Sequence, residues 1–299
     1  MRLPSNPLSD LRLSGLPLPG LRRLPFGQPP SPDDANRRVL VTGGASGLGL
    51  ALATAFLERG DRVIVADLAP TDARPASVPE DARYLRLDVR SEGEWTAVRE
   101  QIEKIWGGLD VLVNNAGIAQ GGRIEMLTEE DWKQIIDINV LGVTRGCRTF
   151  VPMLKAQGRG YIVNTASLAG LVHPPAMSSY TAVKAAVVAI SESIRWELQP
   201  FGTDVSVVCP SFFRTNLASS LNSSDPAAYE FASKLIDRAE RTADEIAAEV
   251  LTALDAREFL ILPDPDARKA YRGKRFLPAA YAKTMLGMGQ KFAQSTTRG

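Results

Sequence analysis

Residues 37–60 read RRVLVTGGASGLGLALATAFLERG, and this stretch decides the fold. A β-branched run from Val39 to Thr42 passes directly into a glycine-rich turn, Thr42-Gly43-Gly44-Ala45-Ser46-Gly47-Leu48-Gly49. An amphipathic helical pattern follows and ends at Gly60. Glycines let a backbone approach a ligand closely, and a helix N-terminus offers unpaired N–H groups and a positive dipole end. An anion such as a pyrophosphate belongs at that turn. The spacing Gly43, Gly47, Gly49 is GxxxGxG, a departure from the GxGxxG dinucleotide fingerprint that uses the same physics.

Outward from this unit, six further apolar runs alternate with longer helical patterns: Arg62 to Ala66, Tyr84 to Asp88, Val111 to Asn114, Tyr161 to Thr165, Val205 to Cys209 and Phe259 to Leu262. Strands alternating with helices predict βα units and a parallel sheet. Near-continuous apolarity in VLVNN and VSVVC predicts helices on both faces. The expected architecture is an α/β, Rossmann-like, doubly wound parallel sheet of about seven strands in a three-layer sandwich. Ser91 with Glu94, and Thr242 with Glu245, match capping boxes and predict helix starts.

The chain of 299 residues is 44% apolar and 23% charged, ordinary for a globular protein. With 35 basic and 34 acidic residues the formal charge is +1, which argues against nucleic acid as a partner. Two cysteines without a CxxC and a single His173 support neither a disulfide scaffold nor a metal site, and a reducing, cytoplasmic setting is expected.

Asp67 ends the second strand, where a carboxylate can accept hydrogen bonds from an adenosine ribose. It would repel a 2′-phosphate, and the following Leu68, Ala69 and Pro70 supply no compensating cation, so NAD is expected over NADP. The alternative is that Asp67 merely opens a turn. Tyr180 and Lys184 are four apart in the helical segment SSYTAVKAAVVAISESIRWEL, so both leave one face. An ammonium nearby stabilises a phenolate and lowers a tyrosine pKa, making Tyr180 a candidate general acid or base. A YxxxK pattern alone is more often explained by an amphipathic surface helix.

Taken together, these residues resemble the short-chain dehydrogenase/reductase family from about residue 37 to 262. TGGASGLG is similar to the family's TGxxxGxG loop, Asp88-Val89 to its adenine-side pair, and Asn114-Asn115-Ala116-Gly117 to its NNAG strand end. Asn139, Ser167, Tyr180 and Lys184 match the catalytic tetrad, with Ser167 thirteen residues before Tyr180. The resemblance implies that Tyr180 exchanges a proton with the substrate oxygen while Ser167 hydrogen-bonds it. It implies that Lys184 tunes Tyr180 and holds the nicotinamide ribose, and that Asn139 supports a water-linked relay. No metal is implied. Implied cofactor contacts are Thr42, Gly43, Ser46, Gly47, Leu48, Gly49, Asp67, Asp88, Val89, Asn115, Ala116, Gly117, Tyr180, Lys184, Pro210 and Thr215. The chain departs from the family's PGxxxT at Pro210-Ser211, where serine replaces glycine.

The resemblance places substrate between Ser167 and Tyr180 and after Pro210, where Leu168, His173, Met177, Phe212 and Phe213 are candidates. A lipophilic secondary alcohol or ketone is the expected substrate, and a homodimer or homotetramer the expected assembly. The alternatives are an NADP-dependent ketoreductase and a non-catalytic dinucleotide-binding regulator. Residues 1–36 hold eight Pro and eight Leu in broken runs, which predicts a mobile N-terminal extension. Residues 263–299 carry eight basic and two acidic residues. Leu277, Tyr281, Met285, Met288 and Phe292 recur at helical spacing there and predict a basic amphipathic helix. The favoured role is packing against the domain or a partner subunit, and the competing one is peripheral membrane contact.

Overall fold

The computed structural model describes residues 36–214, 221–222, 225–237 and 239–296. In chain order the elements are β1 (Arg38–Thr42), α1 (Gly47–Glu58), β2 (Arg62–Asp67), β3 (Arg83–Arg86), α2 (Glu92–Trp106), β4 (Val111–Asn114), β5 (Ala119–Gln120), α3 (Glu129–Ile136), α4 (Gly142–Gln157), β6 (Gly160–Thr165), α5 (Ser178–Leu198), β7 (Thr203–Val208), β8 (Leu221–Asn222), α6 (Pro226–Asp237), α7 (Ala243–Asp255), β9 (Leu260–Ile261), α8 (Pro265–Phe276) and α9 (Pro278–Thr296). All seven expected strands form, in the order β3-β2-β1-β4-β6-β7-β9. Every pairing is parallel. Strand order reverses between β1 and β4, the crevice at which open α/β sheets bind ligands.

Alternation along each strand builds two cores. Val39, Val41, Val63, Val65, Val111 and Val113 pack on one face with Leu52 and Phe56 of α1 and Ile246, Val250 and Leu254 of α7. Leu40, Ile64 and Leu112 point to the other face, with Trp95 of α2, Phe150 of α4 and Val187 of α5. Trp95 meets Phe150 edge-on, with centroids 6.4 Å apart, and donates its ring N–H to the Val89 carbonyl at 3.1 Å. Both faces of the sheet are therefore dry, and the amphipathic reading of α1 needs revision. Leu48, Gly49, Ala51, Leu52, Ala53 and Phe56 are all buried because the helix lies between the sheet and α7.

Three local expectations are also corrected. Thr242 and Glu245 form a full capping box, but at Ser91 only half of one forms. Ser91 accepts from the Glu94 N–H, while the Glu94 carboxylate turns to the Asp88 N–H at 2.7 Å and to Arg86. The tail is two helices, broken at Leu277, because Pro278 disfavours helical backbone in the residue before it. Leu277 is 62% exposed and leaves the apolar stripe, whereas Phe292 is buried and Tyr281, Met285 and Met288 are half-buried.

The tail is docked on the same body as the sheet. Ala267 of α8 is buried and Tyr271 packs on the second core, while α9 lies against α6 and α8. The Asp264 carboxylate accepts from the Ser211 N–H at 2.8 Å. Residues 1–35, nearly all of the expected N-terminal extension, lie outside the described residues.

Candidate active site

The glycine turn lies over the C-terminal ends of β1 and β4. Gly43 and Gly47 have φ of +61° and +52°, left-handed values that favour glycine. Gly49 is needed for a different reason. A Cβ there would lie 2.2 Å from the Gly43 carbonyl oxygen and 2.5 Å from Asn115 Nδ2. Thr42, 1% exposed, ties the turn to the strand end beside it. Its hydroxyl accepts from the N–H groups of Asn115 and Ala116 at 3.0 and 3.1 Å, and donates to the Val113 carbonyl at 3.3 Å. Neither Thr42 nor Gly49 lines the cleft; both hold the turn from behind. Gly43, Ser46, Gly47 and Leu48 do line it.

The start of α1 is open toward an anion. Its N-cap, Ser46, makes no side-chain capping bond, and its first turn has no acidic residue. First-turn N–H groups and the positive helix end are thus left for a ligand. Asp67 stands at the adjacent strand end, accepting from the N–H groups of Ala45 at 3.0 Å and Leu68 at 2.8 Å. Further along, the Arg90 guanidinium grips the Asp88 carboxylate at 2.7 to 3.2 Å and holds its pKa below the usual range.

Across the cleft, α5 presents Tyr180 and Lys184 one turn apart. Lys184 is 5% exposed and donates to the Thr165 carbonyl at 2.9 Å. Burial pushes its pKa down to about 8. Its ammonium lies 5.7 Å from the centre of the Tyr180 ring. Burial is also the largest influence on Tyr180 and raises its pKa, while a hydrogen bond from Ser167 opposes the rise. Desolvation therefore prevails where a lowering of Tyr180 by Lys184 is expected from the spacing, and the phenol is protonated at neutral pH. Ser167 is held by the short turn Leu168–Gly170, whose Gly170 presses so closely on α5 that a Cβ would meet the Lys184 carbonyl carbon at 2.6 Å.

Asn139 sits in a π-helical turn, Asp137–Leu141, between α3 and α4. Such turns recur at functional sites because the extra residue redirects a side chain. Its amide clamps Ile118, accepting from the N–H and donating to the carbonyl, both at 2.9 Å. A Cβ on Gly117 would lie 3.2 Å from Asn139 Oδ1 and 3.6 Å from Lys184 Nζ, so amide and ammonium flank the same glycine.

Tyr180, Lys184 and the glycine turn share one cleft of about 580 Å³, whereas Ser167 and Asn139 stand behind its wall and are not among its lining residues. Asp67, Asp88, Val89, Asn115, Ala116, Gly117, Pro210 and Phe213 line it with the glycine turn and the Tyr180–Lys184 pair. Arg90, Gln134 and Ile138 line it too and have no sequence signal of their own. Thr215 lies outside the described residues. Of the substrate candidates, only Phe213 lines the cleft; Phe212, the next residue back, is turned out and 37% exposed. Leu168 opens the Ser167 turn, and Met177 caps the start of α5. His173 is exposed and engaged by the tail. Its N–H donates to the Tyr281 hydroxyl at 3.2 Å, and the Lys274 ammonium lies 2.9 Å from Nδ1 and 2.6 Å from the Leu171 carbonyl. Burial and the Lys274 charge push the His173 pKa down.

Residues 37–226 match the family model for short chain dehydrogenases. The chain is 38% identical over 179 residues to a 3-alpha-(or 20-beta)-hydroxysteroid dehydrogenase of Mycobacterium tuberculosis, covering 59% of this chain and 69% of that enzyme. It is 32% identical over 194 residues to the NADP-dependent (R)-specific alcohol dehydrogenase of Lentilactobacillus kefiri, covering 62% and 77%. Among solved structures, a short-chain dehydrogenase/reductase from Burkholderia phymatum in complex with NAD superposes with a TM-score of 0.74 at 28% identity, covering 80% of this chain and 92% of that one. Ordered motifs, sheet topology and these similarities agree: the chain belongs to the short-chain dehydrogenase/reductase family, NAD(P)-dependent oxidoreductases acting on alcohols and ketones.

Proposed function

We propose that this enzyme interconverts a lipophilic secondary alcohol and its ketone with NAD(H), using Tyr180 as general acid and base. One observation carries the reading: Tyr180 and Lys184 face the same cleft as the glycine turn and Asp67. The residues fit a dinucleotide. The uncapped start of α1 suits a pyrophosphate, and the Asp67 carboxylate suits an adenosine ribose. Bound there, the nicotinamide would supply or take the hydride.

The chain's own groups manage the proton and the charge. In ketone reduction Tyr180 donates its phenolic proton to the developing alkoxide, and the Ser167 hydroxyl hydrogen-bonds the same oxygen. Lys184, anchored on Thr165 and largely protonated at neutral pH, stabilises the resulting phenolate. Asn139 positions the Ile118 segment and leaves its Oδ1 near Lys184 for a bridging water that returns the proton. In alcohol oxidation the same steps run in reverse.

Preference for NAD rests on Asp67 and on the absence of a cation at Leu68, Ala69 and Pro70. Arg90 faces the cleft but its guanidinium is neutralised by Asp88. A lipophilic substrate is supported by the apolar Ile118, Ile138 and Phe213, which line the same cleft as Tyr180. The test is turnover of a panel of ketones, from short chains to polycyclic ones, with NADH and with NADPH. Higher catalytic efficiency for bulky apolar ketones with NADH is expected; preference for NADPH or for small polar carbonyls overturns the corresponding part.

A further inference from the structure

The last two helices carry a feature that the chemistry of the cleft does not use. From Ala267 to the end of the chain there is no Asp or Glu, against eight Lys and Arg. Tyr281, Met285, Met288 and Phe292 turn toward the protein, but the junction of α8 and α9 does not. Residues 275–280, Arg-Phe-Leu-Pro-Ala-Ala, are all exposed, with Phe276 at 55% and Leu277 at 62%. Leu286, one face further along α9, is 64% exposed. Arg268 and Lys269 are paired with Glu249 and Asp266. Arg272, Arg275 and Lys283, which flank the junction, have no carboxylate partner among the described residues.

We propose that this junction docks on an anionic lipid surface, with Phe276 and Leu277 entering the interface and Arg272, Arg275 and Lys283 meeting the headgroups. The combination of chemistries selects this occupant. Exposed aromatic and leucine side chains ringed by unpaired cations match the apolar and charged depths of a membrane interface. A second copy of the chain would bring the same cations face to face with no carboxylate between them. Nucleic acid would use the cations but leave Phe276 and Leu277 in water. Among the described residues no helix is long and apolar enough to cross a membrane, so contact is confined to the surface. The same segment is tied to the loop after Ser167 through Lys274 and Tyr281.

The test is sedimentation of the full chain with phosphatidylcholine vesicles, with and without phosphatidylglycerol, at rising salt. Binding is expected only to the anionic vesicles and should weaken as salt shortens the Debye length. A cation near such a surface is worth about fivefold in partitioning, so Arg272→Gln, Arg275→Gln and Lys283→Gln together should weaken binding on the order of a hundredfold. Phe276→Ser with Leu277→Ser should weaken it by a further, less salt-sensitive factor. These positions are exposed, so both variants should keep the wild-type melting temperature and NADH affinity, which confirms that they fold. Absence of binding to anionic vesicles, equal binding to neutral ones, or unchanged binding by the cation variant overturns the proposal. So does binding of DNA without vesicles, or a dimer that dissociates in the Phe276→Ser, Leu277→Ser variant.

Discussion

Gly49→Ala isolates the packing of the glycine turn from its backbone conformation. Gly49 is helical, so alanine brings no φ penalty and would by propensity stabilise α1 by about 1 kcal/mol. The added Cβ, however, would lie 2.2 Å from the Gly43 carbonyl oxygen, against about 3.5 Å for an ordinary contact. Helix and turn must therefore separate by about 1 Å, and the Asn115 amide at 2.5 Å blocks the other way out. Overpacking of this kind costs about 1–3 kcal/mol, and against unyielding backbone at 2.2 Å the upper part of that range, which exceeds the helical gain, applies. At roughly 2–4 °C per kcal/mol, the melting temperature should fall by several degrees. The functional effect should be larger, because a misplacement of about 1 Å at a binding constellation can cost on the order of a hundredfold. NADH fluorescence titration should show that loss of affinity. Gly287→Ala on α9, where a Cβ meets nothing within 4 Å, is the control and should stabilise slightly without touching NADH affinity. An NADH affinity within threefold of wild type for Gly49→Ala would refute the close-packed turn as the reason for that glycine.

Asp67→Ser should narrow the preference for NAD over NADP mainly by improving the NADP side, measured as the ratio of catalytic efficiencies; an unchanged ratio removes Asp67 from cofactor choice. Lys184 has a folded pKa of about 8, below its unfolded value, so the unfolded chain binds the extra proton between pH 8 and about 10.5. The penalty of burying its charge is full below pH 8 and is relieved as pH rises. The stability difference between ligand-free wild type and Lys184→Met, followed by urea unfolding, should therefore move in favour of wild type by roughly 3 kcal/mol across that window, and a flat difference contradicts the buried ammonium. Lys274→Met removes the bonds to Leu171 and His173 and should cost about 1 kcal/mol, with faster amide exchange in residues 168–177 and no change in NADH affinity. Unaltered exchange there means the tail does not restrain that loop.

Most of the strands are legible because they are short, nearly continuous apolar runs rich in β-branched residues, a pattern that follows from burial on both faces, while Tyr84–Asp88 at the sheet edge shows it least. The glycine turn is legible for the same reason that it works, since Gly43 and Gly47 adopt backbone that other residues resist. What escapes the sequence depends on partners far away in the chain. Nothing local in IIDINVLGV announces the π-helical turn that aims Asn139 at Ile118. Glu94 fits a capping box by spacing, yet the Asp88 N–H competes successfully for its carboxylate. Lys184 lies near Tyr180 as the i,i+4 spacing requires, but spacing carries no information about burial, and burial dominates both pKa values. Pro278 does carry the signal for the break in the tail; apolar spacing across it is the weaker guide. The role of His173 depends on Lys274 and Tyr281, a hundred residues away, and periodicity cannot place them.

The most direct test of the central claim is a pair of measurements on one variant, Tyr180→Phe, made with NADH and a ketone that wild type reduces. The phenol hydroxyl is the only group removed, so NADH should bind with wild-type affinity. Single-turnover oxidation of bound NADH, followed by its absorbance, should slow by at least about a hundredfold, the usual range for losing a general acid. A Tyr180→Phe enzyme that oxidises bound NADH at the wild-type rate would contradict the assignment of Tyr180 as the proton donor.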